Sequence, residues 1–163
     1  EIDILGGLGG VYLIEELLHP EDYAGYRQVS EAVDTRIACG EQEATEWGFE
    51  RLIKEGHVDV VQPDLTRCGG FTVARKIAHM ADRANILVIP HSWSSDLLTA
   101  ASLQFCAFLR RAPFVEFSTS QGPLSRALVQ EPLRMAGGHL SVPSGPGLGV
   151  QVNDEIIQRY RIQ

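Results

Sequence analysis

The stretch Val58-Asp59-Val60-Val61-Gln62-Pro63-Asp64, continued by Leu65-Thr66-Arg67-Cys68-Gly69-Gly70, decides the fold. In the run 58–62, Val58, Val60 and Val61 are apolar, and it reads as a buried parallel strand; a strand covered on one face alternates instead. An acid, Asp64, follows the run. Residues 71–83 then carry helical spacing through Val73, Ile77 and Met80.

The same unit recurs on both sides. Apolar runs at 11–14 (VYLI), 36–39 (RIAC), 86–89 (ILVI) and 114–115 (FV) read as further strands. Helical spacing covers 22–33, 43–55 and 95–109. The second of these has Leu52 and Ile53 apolar, Lys54 in its last turn and Gly56 just past its end. The third is the most apolar and carries Asp96 at its start, where an acid suits the helix dipole. Strands alternating with helices of this length imply βαβ units and a parallel sheet.

Each run ends on an ionisable residue: Glu15, Glu41, Asp64, His91 and Glu116, spaced 23 to 27 residues apart. A (β/α)₈ barrel uses about 30 residues per unit, and its active site lies on the rim at the strand C-termini. An open doubly wound sheet carries ligands only near a switch point. Five consecutive strands with one group each therefore favour a closed barrel. The tail differs. A short helix is expected over 123–129, a turn at Gly137-Gly138 before HLSV (139–142), and a rigid loop at PSGPGLGV (143–150). Asn153 or Asp154 is placed to cap a last helix through 161.

With 163 residues, 44% of them hydrophobic and 21% charged, the chain can bury a core. Its net charge of -7 argues against a nucleic-acid surface, which needs a basic stripe. No run approaches the ~18–20 apolar residues that span a bilayer. The opening EIDILGGLGG lacks the basic region of a secretory signal. Cys39, Cys68 and Cys106 share no CxxC spacing, so each reads as a small apolar residue in a reducing compartment; a cytoplasmic location is expected.

Glu15 and Glu41 end adjacent strands, about 5 Å apart laterally. Two anions there repel unless a cation or shared proton intervenes, and oxygen-only ligands suit a hard cation such as Mg²⁺. The plainer alternative is that each glutamate is a salt-bridge partner on the rim. Glu16 should point to the opposite side, in a supporting role. Asp64 and His91 also end adjacent strands, so the carboxylate can fix the imidazole tautomer and leave the other nitrogen to exchange protons. Glu116, between Val115 and Phe117, is expected to stay protonated in an apolar setting and to donate to a developing anion, or else to be a buried ion-pair partner. Arg67 and Trp93 follow two of the strand ends and are candidate substrate contacts. His19, His57, His79 and His139 read as structural, and Gly69-Gly70 as a turn.

Taken in order, IEE (14–16), GE (40–41), QPDLTRCGG (62–70), PHSW (90–93), VEF (115–117) and PSGPGLGV (143–150) resemble the enolase superfamily in its mandelate racemase/muconate lactonizing branch. The resemblance covers nearly the whole chain. It implies the C-terminal part of a (β/α)₈ barrel over 1–132, with a tail over 133–163 that packs on a capping domain. It implies Mg²⁺ held by Glu15 and Glu41, His91 and Asp64 as general acid/base dyad, and Glu116 as the electrophilic acid; superfamily sites of this kind pair a Lys or His base with Mg²⁺. Leu17 stands where the family usually has Pro. The family's third metal ligand and second base lie on strands before Glu15, and the opening GGLGGVYLIEE resembles a helix end running into a strand.

The chain is therefore expected to be a fragment, or one whose missing half is supplied elsewhere. Five strands cut from a barrel leave two unpaired edges, and two carboxylates alone hold Mg²⁺ poorly. The implied activity is a lyase that dehydrates a sugar acid to a 2-keto-3-deoxy acid. Rivals are a racemase, epimerase or cycloisomerase of the same superfamily, and a non-catalytic fragment or assembly module. The expected partners are a small carboxylate substrate and further copies of the chain or the missing half.

Overall fold

The computed structural model describes residues 10–120 and 122–162. The expected opening helix end at residues before 10 lies outside them. Contacts divide the chain into two compact units, Glu1–Pro90 and His91–Gln163.

In the first unit, β1 (Leu13–Glu15), β2 (Arg36–Cys39), β3 (Val60–Val61) and β4 (Leu87–Val88) form a parallel sheet in sequence order. Glu15 stands level with Ala38, Cys39 with Val61, and Val61 with Val88. Ala38, Val60 and Ile89 pack into one buried cluster, with Leu13 and Leu87 against it. These side chains stand on one face because their residues are register partners or alternate along the strands. Strand order equal to chain order is what successive right-handed βαβ units produce.

Helices follow the strands. α1 (Tyr23–Ala32) begins at Asp22, whose carboxylate accepts from Gly25 N at 2.9 Å and so satisfies one of the orphan donors of the first turn. The expected helix over 43–55 is split: α2 (Thr45–Arg51) passes into a π turn, Leu52–Gly56. Gly56, expected just past the helix, lies inside that turn and is buried; a Cβ there would meet Leu52 Cδ1 at 3.2 Å. The left-handed terminator is His57 instead, with φ 52°.

α3 (Gly70–Ala84) buries Ala74, Ile77, Ala78 and Ala81, an i, i+3, i+4, i+7 stripe. Val73 and Met80, expected on this face, flank it half-buried. Small alanines allow the helix a close approach that bulkier side chains would block.

In the second unit, α4 (Asp96–Phe108) is capped by Ser95, which accepts from Leu98 N, and buries Leu98 through Phe105 apart from Gln104. Residues 111–120 form neither helix nor strand. The fifth strand expected at Phe114-Val115 is therefore not formed. Pro113 has no N–H to give to a ladder, and Phe114 is half exposed rather than a core residue. α5 (Pro123–Arg126) is a single turn shorter than expected, and α6 (Asp154–Tyr160) is capped by Asn153. Gly137 and Gly138, both at positive φ, make the two-residue turn that lets Ala136 and His139 exchange hydrogen bonds. Gln104 Nε2 reaches the PSGPGLGV loop, donating to Pro143 O at 2.7 Å and Leu148 O at 3.3 Å.

No helix among the described residues is long and apolar enough to cross a membrane.

Candidate active site

Glu15 ends β1, Glu41 follows β2 by two residues, and Asp64 follows β3 by three. The first unit thus brings three carboxylates to the C-terminal end of one parallel sheet. What orients them is local.

Glu15 Oε2 accepts from Gln62 Nε2 at 3.1 Å, and Gln62 is itself buried at the end of β3. Glu16 lies in the left-handed region at φ 49°, and its carboxylate accepts from Gly40 N at 3.0 Å, binding β1 to β2. That is the supporting role expected of it. Gly40 adopts φ +128°, and a Cβ there would lie 2.9 Å from Phe49 Cε1, so only glycine delivers the chain to Glu41 without strain.

Asp64 is 1% exposed. Its Oδ1 accepts from Thr66 N at 2.7 Å and Thr66 Oγ1 at 2.5 Å, while its carbonyl accepts from Arg67 N and Cys68 N. This Asx turn locks the aspartate at the strand end. Arg67 Nη1 donates to Glu41 O at 3.1 Å and lies 3.6 Å from Glu41 Oε1; its Nε lies 3.9 Å from Asp64 Oδ2. Arg67 therefore bridges two of the carboxylates, and at 50% side-chain exposure it still faces solvent. The screened pair contributes little stability, about 0–1 kcal/mol. Its effect is to hold positive charge between Glu41 and Asp64.

In the second unit, His91 and Ser92 are buried directly after Pro90. His91 Nε2 lies 3.9 Å from Glu116 Oε2, and the same oxygen accepts from Ser92 N at 3.0 Å. Imidazole and carboxylate are thus neighbours, too far apart for a direct hydrogen bond. Ser92 Oγ donates to Thr99 Oγ1 at 3.0 Å, which anchors the His91–Ser92 backbone to α4. Trp93 is 57% exposed, consistent with a contact residue rather than a core one.

Sequence reasoning did not identify the groups that hold these side chains: Gln62 on Glu15, Thr66 on Asp64, and the Ser92 amide on Glu116. The D-x-T spacing of Asp64 and Thr66 is a recognisable Asx-turn signal. The others carry no local signal, since their partners lie 24 to 47 residues away.

As donors, Glu15 and Glu41 offer the hard oxygen chemistry that Mg²⁺ requires, on adjacent strands. They fit as part of a site. Among the described residues no group of three or more His, Cys, Asp and Glu side chains converges to hold a metal ion, so water and further ligands would have to complete the shell.

Residues 2–156 match the family model described as enolase C-terminal domain-like. A D-galactarolactone cycloisomerase of Agrobacterium fabrum is 32% identical over 161 residues, covering 94% of this chain and 43% of that protein. An L-rhamnonate dehydratase of Saccharopolyspora erythraea is 36% identical over 152 residues, covering 88% and 37%. The crystal structure of the 3,6-anhydro-D-galactonate cycloisomerase from Zobellia galactanivorans superposes with a TM-score of 0.89 at 31% identity, covering 98% of this chain and 45% of that one. The chain spans less than half the length of the curated relatives it matches.

Proposed function

Because the chain belongs to the enolase C-terminal domain-like family of the enolase superfamily, we propose that it carries part of the site of an enzyme that removes the proton α to a sugar-acid carboxylate and expels the β-hydroxyl as water. The observation that supports this most directly is the placement of Glu15, Glu41 and Asp64 at the ends of three successive parallel strands. The product would be a 2-keto-3-deoxy acid.

Glu15 and Glu41 are the residues that would hold Mg²⁺. When bound, the ion would supply positive charge opposite the substrate carboxylate as the α-proton departs. His91 is assigned general acid/base chemistry together with Asp64, whose Oδ1 is engaged by its own Asx turn. Glu116, its carboxylate held by the Ser92 amide, is assigned to the substrate carboxylate side. Arg67 and Trp93, both exposed, are assigned to substrate hydroxyls. Residues 133–163 are assigned to a tail packing on a capping domain. Assembly of several copies and a cytoplasmic location, where the thiols stay reduced, belong to the same reading.

A second outcome is favoured by the cycloisomerases among the similar proteins: the same proton removal followed by ring opening or closure instead of water loss. One experiment separates the two. The complete gene product is incubated with Mg²⁺ and a panel of acid sugars and their lactones, in water and in D₂O. Formation of 2-keto acid marks dehydration, isomerised lactone marks cycloisomerisation, and α-deuterium uptake alone marks racemisation. Loss of every one of these signals in His91→Asn is expected; turnover unaffected by that substitution overturns the assignment.

A further inference from the structure

We propose that the buried Asp96–Arg126 ion pair is a positioning device for Glu116, acting through the backbone of residues 117–120. The inference rests on the assignment of Glu116 to the substrate side and goes one layer behind it.

Glu116 sits in a segment with no helix or strand to fix it. Its rigidity has to come from elsewhere, and Arg126 supplies it. The guanidinium lies 4.3 Å from the centre of the Phe117 ring, donates to Ser118 O, and donates through Nε to Ser120 O at 3.2 Å. Three residues of the strandless segment, Phe117, Ser118 and Ser120, are therefore gripped by one planar fork, a geometry that a lysine ammonium does not reproduce.

The fork is itself held. Arg126 Nη1 donates to Asp96 Oδ1 at 2.6 Å, and Asp96 Oδ2 accepts from Leu133 N at 2.9 Å. Asp96 is 1% exposed and is the first residue of α4. A charge so deeply buried is costly unless paired, and removing its partner leaves it uncompensated. The first turn of α4 also carries Thr99, which binds Ser92 Oγ, and the Ser92 amide holds the Glu116 carboxylate. One helix start thus grips Glu116 twice: at its carboxylate through Thr99 and Ser92, and at the backbone behind it through Asp96 and Arg126.

The test uses the complete gene product with Mg²⁺ and whichever acid sugar it turns over. Arg126→Lys keeps the charge and loses the fork. We expect a folded variant with kcat lowered about 10- to 100-fold, since displacement of a reacting group by about 1 Å has effects of that size, and with KM changed by less than about threefold. Amide hydrogen exchange over 114–120 should quicken about tenfold while 98–105 is unchanged. A folded variant whose kcat stays within about twofold of wild type, or whose exchange over 114–120 is unaltered, overturns the proposal. Should Arg126→Lys fail to fold, Phe117→Leu removes the ring contact and leaves both charges. It should lower kcat at least about threefold at constant KM, and unchanged kcat and exchange would overturn the proposal equally. If the wild type turns over no acid sugar, the site assignment fails, and the exchange measurement still decides whether Arg126 fixes this segment.

Discussion

Gln62 Nε2 donates to Glu15 Oε2 across 3.1 Å, although β2 lies between the strands that the two residues terminate. Neighbouring strands are about 4.8 Å apart, so both side chains must lean over the end of β2 to meet. Partners of this kind behind a metal ligand typically affect metal affinity by about 10- to 100-fold. On the proposed assignment of Glu15 to Mg²⁺, Gln62→Leu is expected to weaken Mg²⁺ binding by at least about tenfold while the fold is retained, as read by titration calorimetry on the complete gene product. An unchanged Kd would show that Gln62 has no part in holding the metal.

Gly40 precedes Glu41 at φ +128°, and an added methyl would stand 2.9 Å from Phe49 Cε1 and 3.2 Å from Gln62 N. Phe49 is fully buried and Gln62 N donates to Cys39 O, so neither can easily retreat. Gly40→Ala combines a strained backbone with overpacking, and a loss of about 2–4 kcal/mol is expected. The midpoint of urea unfolding should fall at constant slope. A midpoint within error of the parent would mean that the loop before Glu41 is looser than described.

The strand ends were legible because buried parallel strands write themselves as short continuous apolar runs. Residues 36–39 were placed to the residue. The run 114–115 looked alike and formed no strand, because two apolar residues after Pro113 carry no information about a ladder partner. The split of 43–55 into α2 and a π turn was not legible either, since side-chain spacing does not distinguish i+4 from i+5 hydrogen bonding over one turn. Asp96 was read as a helix-start acid. It does occupy that place, but its oxygens are taken by Arg126 and the Leu133 amide, a contact 30 and 37 residues distant that no local pattern announces.

The PSGPGLGV loop gives a prediction about the tail. Gly149 has φ +79°, and a Cβ would fall 2.5 Å from Pro143 Cβ and 2.7 Å from Pro143 C and O. These are backbone and ring atoms, so the clash is not relieved by a rotamer. Gly149→Ala should cost about 2–3 kcal/mol and release the loop from Gln104. Gln104→Leu removes only the two hydrogen bonds and should cost about 1–2 kcal/mol. Limited proteolysis within 143–150 should quicken in both variants, more in Gly149→Ala. Equal resistance in parent and variants would show that the loop owes its form to its own prolines and glycines.

The thiols fix the expected response to alkaline pH. Burial pushes Cys39 up to about 12 and Cys68 and Cys106 up to about 11, against about 8.5 in an unfolded chain. Tyr23 moves the same way, to about 12, through burial and the short hydrogen bond it donates to Glu43. In each case the native state keeps a proton that the unfolded chain has already lost. The contribution is therefore complete below about pH 8.5 and is lost as the pH rises towards 11 and 12; it does not change on acidification. Urea midpoints should hold between pH 7 and 8 and fall steadily above 9. Iodoacetamide at pH 8 should label the native thiols far more slowly than the same thiols in urea, because thiolate is the reacting form. Labelling of Cys39 and Cys68 in the folded protein as fast as in the unfolded one would mean that these two buried thiols are not sealed in the interior, and the alkaline loss should then be absent as well.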